Sequence, residues 1–243
     1  MTTFSKTQID RLGDRLRKGS LSEDDLKLLD EYRRSFGEAY ETVVRIIRDQ
    51  LNLDPTGRPA KSTNSVIEKL YRESIRLSQV QDIAGCRVVV ADVSAQQRLI
   101  ISLRDIFPTT TVIDRRADPS YGYRAVHVIA RIVGKSIEIQ IRTQLQHLWA
   151  DLSEKLSDVV DPSIKYGGGE SKIRETLMIL SAQVAEGEAL EKALTRRRRK
   201  HVTKQYKQET QKFREELAQW KTQFIAGFNQ AISSLESRKG QKQ

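Results

Sequence analysis

Residues 136–143 read Ser-Ile-Glu-Ile-Gln-Ile-Arg-Thr, and their strict alternation decides the fold. Ile137, Ile139 and Ile141 fall on one side of an extended chain and Glu138, Gln140 and Arg142 on the other. That is a β-strand with one apolar face and one chemically equipped face. Upstream, residues 121–133 (YGYRAVHVIARIV) read as a second strand. Gly134-Lys135 separates the two, and a two-residue link with glycine first suits a type II′ hairpin turn. In that register His127 faces Arg142, Ile129 faces Gln140 and Arg131 faces Glu138. Tyr123 and His127 then share a face with Glu138, Gln140 and Arg142, while Val126, Val128 and Ala130 share the other with the isoleucines. So much acid, base, amide and aromatic chemistry on one strand pair marks a candidate active site.

Working outward, residues 1–53 read as helical, with a capping start at Ser22 and Asp25 and with Leu26, Leu29, Tyr32 and Phe36 at inward spacing. Two prolines and a glycine break the pattern at residues 53–62, and a short helix spans 63–78. Strands at 86–92 and 111–115 flank a crossing helix near 94–106. Thr143 caps a helix to about residue 158, with Leu145, Leu148, Trp149, Leu152 and Leu156 inward. Three successive glycines lie in the break at 161–171, and two further helices finish the chain. In the last, Phe213, Leu217, Trp220, Phe224, Phe228, Ile232 and Leu235 recur every three or four residues, a stripe that packs on its own domain or forms a dimer or partner seam. The reading is α+β, a mainly antiparallel mixed sheet flanked by helices. Residues 1–53 form an N-terminal helical extension, 54–160 the core and 161–243 a C-terminal helical extension.

The chain has 243 residues, 38% hydrophobic and 30% charged, enough for a core beneath a broad solvated surface. No apolar run approaches the roughly 20 residues of a membrane span. The first residues, MTTFSKTQIDRL, carry no apolar signal region, so a cytoplasmic location is expected. The one cysteine, Cys86, excludes an intrachain disulfide and a thiolate metal cluster. Net charge is +10, yet residues 192–214 hold ten Lys/Arg against the single acid Glu209, and the remainder balances at 32 basic to 31 acidic. Arg196, Arg197, Arg198, Arg199 and Lys200 form the centre of that segment. It suits either a grip on RNA or a phosphate-rich ligand through counterion release, or a solvated junction between helices.

Asp82 leads directly into the strand at 86–92. Placed beside Glu138, it makes a pair of oxygen ligands suited to Mg²⁺, which takes one or two carboxylates and completes its octahedron with phosphates and water. Lys61, Ser65 and Lys69 are spaced by four and stack on one helical face, preceded by Arg58 and followed by Arg87; such cations fit a triphosphate. Tyr123 offers a flat platform for a nucleobase. Each has a plainer counterpart: a solvated helix face, a turn aspartate, a cross-strand Glu138–Arg131 ion pair. Neither G-x-x-x-x-G-K-[ST] nor G-x-G-x-x-G occurs, which excludes those nucleotide-binding loops.

Taken in order, GRPAKSTNSVIEKL, DIAGCRVVV, GYRAVHV, EIQIRT and QHLWADLSEKL resemble the RelA/SpoT alarmone synthetase domain over about residues 55–157. The resemblance implies a nucleotidyltransferase-like core that moves pyrophosphate from ATP to the ribose 3′-hydroxyl of GDP or GTP in the stringent response. Carried across, Arg58, Lys61, Ser65, Lys69 and Arg87 hold ATP, and Asp82 and Glu138 are catalytic and hold Mg²⁺. Tyr123, His127, Gln140 and Arg142 take the acceptor. Two departures stand out. The family's Pro-Lys and Asn before Gly-Tyr give way to Asp118-Pro119-Ser120-Tyr121, without the acceptor-phosphate lysine, and Arg-x-Lys is stretched to Arg58-Pro59-Ala60-Lys61. No His-Asp pair of the family's hydrolase occurs, as in a stand-alone small synthetase. The family also contains toxic members that pyrophosphorylate the tRNA 3′-CCA end, an acceptor that the basic run suits. The remaining alternative is a non-catalytic RNA- or partner-binding module on the same fold. Self-association or an antitoxin partner falls to the C-terminal helices.

Overall fold

The alternating isoleucines do form a strand: β5 (Lys135–Thr143) buries Ile137, Ile139 and Ile141 completely. The computed structural model describes residues 4–19, 21–197 and 204–240. With β1 (Thr56–Arg58), β2 (Ala84–Val90), β3 (Thr110–Asp114) and β4 (Val126–Ile132), β5 makes a five-stranded mixed sheet flanked by helices, in the order β1-β2-β5-β4-β3. β5 is the central strand. The α+β expectation is therefore met.

The hairpin differs from its expected geometry in one respect. β4 ends at Ile132 and β5 begins at Lys135, so the turn falls on Val133 and Gly134, both at positive φ (49° and 74°). Two positive values are the type I′ combination rather than type II′. A two-residue turn closed by Ile132 and Lys135 implies that His127 pairs with Gln140 and Ile129 with Glu138, rather than the pairs first expected. Both strands shift together, so side chains keep their faces. The expected strand from residue 121 starts only at Val126; Tyr123 lies before it, in an isolated bridge with Ser120.

Two compact units make up the chain. The first comprises Met1–Val88, Ser102–Ile113 and His127–Gln140. Its helices α1 (Lys6–Lys18), α2 (Glu23–Arg34) and α3 (Gly37–Leu51) bury Ile9, Leu12, Leu16, Leu29, Tyr40, Val43 and Ile47. Ser22 and Asp25 close the expected capping box at the start of α2, and the Asp25 carboxylate also accepts from Arg15 at 2.8 Å. Such a cap stabilises by about 1 kcal/mol. Leu26, expected inward, is 45% exposed, because the buried stripe of α2 runs through Leu29 and Tyr32. The helix α4 (Thr63–Glu73) stops short of residue 78, at Ser74 in a left-handed C-cap. β1, where only a break was expected, pairs antiparallel with β2. A Cβ at Gly57 would collide with the Tyr40 hydroxyl, so glycine lets this edge strand lie over α3.

The second unit comprises Val89–Ile101, Asp114–Val126 and Ile141–Gln243. Helix α5 (Val93–Ile106) begins in it, and α6 (Gln144–Val159), α7 (Ser171–Arg197) and α8 (Lys204–Gly240) belong to it. Leu145, Trp149, Leu152, Leu177, Val184, Phe228 and Ile232 form its core, with Leu148, Leu156, Trp220, Phe224 and Leu235 packed against it. Trp220, Phe224, Phe228, Ile232 and Leu235 of the last helix's stripe thus pack within their own unit, whereas Phe213 is exposed. Among the described residues no helix is long and apolar enough to cross a membrane.

Candidate active site

In the first unit, the chain entering β2 carries Asp82, and two lysines converge on it. The Lys61 ammonium lies 2.6 Å from Oδ2 and the Lys69 ammonium 2.9 Å from Oδ1. Two local features aim them. The Lys61 backbone N–H donates to the Ile83 carbonyl at 2.7 Å, tying the loop to the strand entry. Ser62 then caps α4, its hydroxyl accepting from the Ser65 N–H, and Lys69 follows one turn after Ser65. Lys61 precedes the helix, so the expected helical stack is replaced by convergence from a loop and a helix. Ser65 is held by its side-chain bond with Ser62 at 2.8 Å. Burial pushes the Asp82 carboxyl up, but the attraction of Lys61 and Lys69 outweighs it and holds the group at about 2. Lys69 also lies 3.7 Å from Glu73, a longer contact to a more exposed carboxylate.

Glu138, at the centre of β5, is buried, and each of its carboxylate oxygens has a partner. Its Oε1 lies 3.0 Å from His127 Nδ1 on β4, and its Oε2 accepts from Gln140 Nε2 at 2.7 Å. Burial and the Asp82 charge push its carboxyl up; His127 and Gln140 outweigh them, and it sits below the ordinary carboxylate range. Across β2, a Cβ at Gly85 would come within 2.6 Å of the Glu138 carbonyl oxygen, so only glycine allows the two strands this spacing. Cys86 beside it is inert: burial, with the nearby Glu138 charge, pushes its thiol up to about 12. Arg87 is half-buried on β2 and pairs with Thr56 of β1. Arg58 pairs through its backbone with Gly85.

In the second unit, the buried Arg142 and Tyr123 meet. Arg142 Nη2 donates to the Tyr123 hydroxyl at 3.1 Å, and the guanidinium carbon stands 5.1 Å from the ring centroid, a cation–π arrangement. Ser181 Oγ donates to the Gly122 carbonyl at 2.6 Å, fixing the residue before Tyr123. Beside Arg142, Thr143 closes a capping box with Gln146, and its hydroxyl donates to Glu188 at 2.5 Å. Gln96 Nε2 reaches both the Ile141 carbonyl (2.8 Å) and Gln146 (2.9 Å). Gln96, Gln146 and Glu188 form a buried polar network that sequence reasoning missed as a unit. Only the Thr143–Gln146 capping spacing was a local signal; Glu188 sits in a long helix with nothing nearby to mark it.

Of the expected residues, then, the structure gathers Lys61, Lys69 and Asp82, gathers His127, Glu138 and Gln140, and joins Tyr123 to Arg142. Of the basic run, Arg196 and Arg197 end α7, and Arg198, Arg199 and Lys200 lie outside the described residues.

Residues 57–157 match the model for the region found in RelA / SpoT proteins. This segment belongs to the RelA/SpoT family. Over 112 residues the chain is 42% identical to the Mycobacterium tuberculosis protein Rv1366, covering 44% of this chain and 41% of that one. Over 120 residues it is 32% identical to the GTP pyrophosphokinase YjbM of Bacillus subtilis, covering 42% and 54%. The chain thus spans about half, or less, of the length of these curated relatives. Its fold is similar to that of the small alarmone synthetase 1 from Bacillus subtilis, with a TM-score of 0.51 at 27% identity over 73% of this chain and 97% of the other. The same protein bound to its product pppGpp superposes with a TM-score of 0.53 at 24% identity, over 71% and 97%.

Proposed function

We propose that this chain is a Mg²⁺-dependent pyrophosphokinase that transfers the β,γ-pyrophosphoryl group of ATP to the ribose 3′-hydroxyl of GDP or GTP. The observation that carries the reading is the Asp82 carboxylate, kept ionised between Lys61 and Lys69 in the same unit as the buried Glu138. The names of two relatives, a GTP pyrophosphokinase and an alarmone synthetase with bound pppGpp, support it.

The donor set fits Mg²⁺. Both carboxylates are held in the anionic form, and each oxygen that accepts one hydrogen bond keeps a second lone pair. Mg²⁺ takes one or two carboxylates and draws its remaining ligands from substrate phosphates and water, so Asp82 and Glu138 would suffice as its protein ligands. Bound there, Mg²⁺ would neutralise charge on the transferring phosphates.

In the reaction the acceptor O3′ forms a bond to the ATP β-phosphorus, the bond from that phosphorus to the α,β-bridging oxygen breaks, and AMP leaves with that oxygen. The acceptor hydroxyl loses its proton. Lys61 and Lys69 exchange from Asp82 to the phosphates, Ser65 adds a hydroxyl donor, and Arg58 and Arg87 flank the adenine. Tyr123 stacks on the acceptor base, with Arg142 fixing the ring and reaching the acceptor. His127 and Gln140 hold the Glu138 carboxylate in place. Glu138, held below the ordinary range, is a weak base, so it takes the proton late, and the rate rests on positioning and electrostatics.

Incubation of the chain with [γ-³²P]ATP and GDP, GTP or bulk tRNA, with and without Mg²⁺, tests the proposal. Label on guanosine nucleotides, with Mg²⁺ only, supports it. Label on tRNA alone moves the acceptor to the tRNA end, and no transfer to any acceptor leaves a binding module.

A further inference from the structure

A cleft of about 640 Å³ opens in the second unit between α5, α7 and the segment after β3. Four cations line it, Arg98, Arg116, Arg124 and Lys192, against two acids, Asp114 and Glu188. Both acids are already hydrogen-bonded, Asp114 to one of these four cations. Asp114 takes a fork from Arg116, with Nε at 2.9 Å and Nη2 at 2.6 Å, and this bonding holds its carboxyl below the ordinary range. Glu188 spends its oxygens on Thr143 and Gln146. Four cations against two acids leave the cleft net positive.

The cations come from separate elements around the cleft. Arg98 and Lys192 are exposed and line the cleft from two different helices. Arg124 is half-buried and pre-organised, its Nη2 donating to the Arg116 carbonyl at 2.6 Å. Ser94 and Gln97 add neutral donors. Guanidinium forks on phosphate oxygens are the strongest charge-assisted contacts available to a side chain, and the volume falls within the roughly 300–1,000 Å³ of small-molecule sites. We propose that this cleft binds a compact phosphorylated ligand carrying a diphosphate or longer chain, at a site separate from the residues assigned to catalysis. Arg116 Nη1 also donates to Gln96 at 3.2 Å, and Gln96 holds the Ile141 carbonyl and Gln146. A ligand that competes with Asp114 for Arg116 thus bears on the residue preceding Arg142.

Ala117, Ala185 and Ala189 line the cleft and supply reporters. The full chain, labelled with ¹³C at alanine methyls, is titrated with inorganic pyrophosphate in the absence of divalent cations. The expected result is saturable shifts of these three methyls. In Arg98→Ala/Lys192→Ala the affinity falls at least ten-fold, and Arg98→Gln/Lys192→Gln, which keeps the side-chain bulk, gives the same loss. Lys61→Ala leaves the titration unchanged while removing the proposed synthesis, so the two readings fail separately. Unmoved methyls, affinity retained in both double variants, shifts abolished by Lys61→Ala, or shifts reproduced by sodium chloride of equal ionic strength would each overturn the proposal.

Discussion

Replacing Asp82 by asparagine, which has the shape of the protonated acid without the charge, isolates what the two lysines do for the fold. The wild-type carboxyl sits at about 2 against an ordinary 3.8, and its side chain is only 13% exposed, so screening by solvent is slight. At ~1.4 kcal/mol per unit, that depression is worth about 2 kcal/mol of stability at neutral pH. Because the folded-state value is depressed, the contribution is complete well above 3.8 and is lost as pH falls toward 2. Urea unfolding should therefore show Asp82→Asn less stable than wild type by about 2 kcal/mol at pH 7, and the gap should narrow to roughly half at pH 3. The Asp82→Asn variant should also lose pyrophosphoryl transfer by at least about 100-fold, the order seen when one preorganised electrostatic group is removed. Equal stability at pH 7, or a gap that does not narrow on acidification, would refute the assignment of Asp82 as an ion held by Lys61 and Lys69.

Three further outcomes follow from the geometry. Glu138→Gln keeps the shape and removes the charge; steady-state kinetics should show kcat down by about 10²–10³ with the KM for ATP nearly unchanged. Tyr123→Ala removes both the ring and the bond to Arg142, so the acceptor KM should rise at least ten-fold while the KM for ATP holds; Tyr123→Phe, which keeps the ring, should fall in between. Gly57→Ala forces a methyl into the Tyr40 hydroxyl and should lower stability by about 1–3 kcal/mol in chemical denaturation, and Tyr40→Phe in the same chain should recover part of the loss.

Local signals carried much of this structure. The alternation at 136–143 marked the central strand because one face is buried without exception, and the capping residues Ser22 and Thr143 marked helix starts because each bond is made within three residues. What failed was either too short or too distant for a periodic pattern. β1 has three residues, too few to display a period of two, and its glycine is explained by Tyr40 on another element. The hairpin turn was displaced because a β-branched residue, Val133, adopts a left-handed conformation that sequence preference assigns to glycine. The convergence on Asp82 joins residues 21 and 13 positions away, and the Thr143–Glu188 bond spans 45, separations invisible to helical or strand spacing. Residue types pointed to the chemistry, whereas partners came only from the fold: His127 and Gln140, expected on an acceptor, both bond Glu138.

The most direct test of the central claim is the identity of the group transferred. With Mg²⁺, ATP and GDP, ³¹P NMR of the reaction should show AMP and a guanosine product bearing an intact pyrophosphoryl group on its 3′ oxygen, formed in equal amounts, and neither should form in Asp82→Asn. Production of ADP in place of AMP, or AMP formed without a 3′-pyrophosphorylated acceptor, would contradict it.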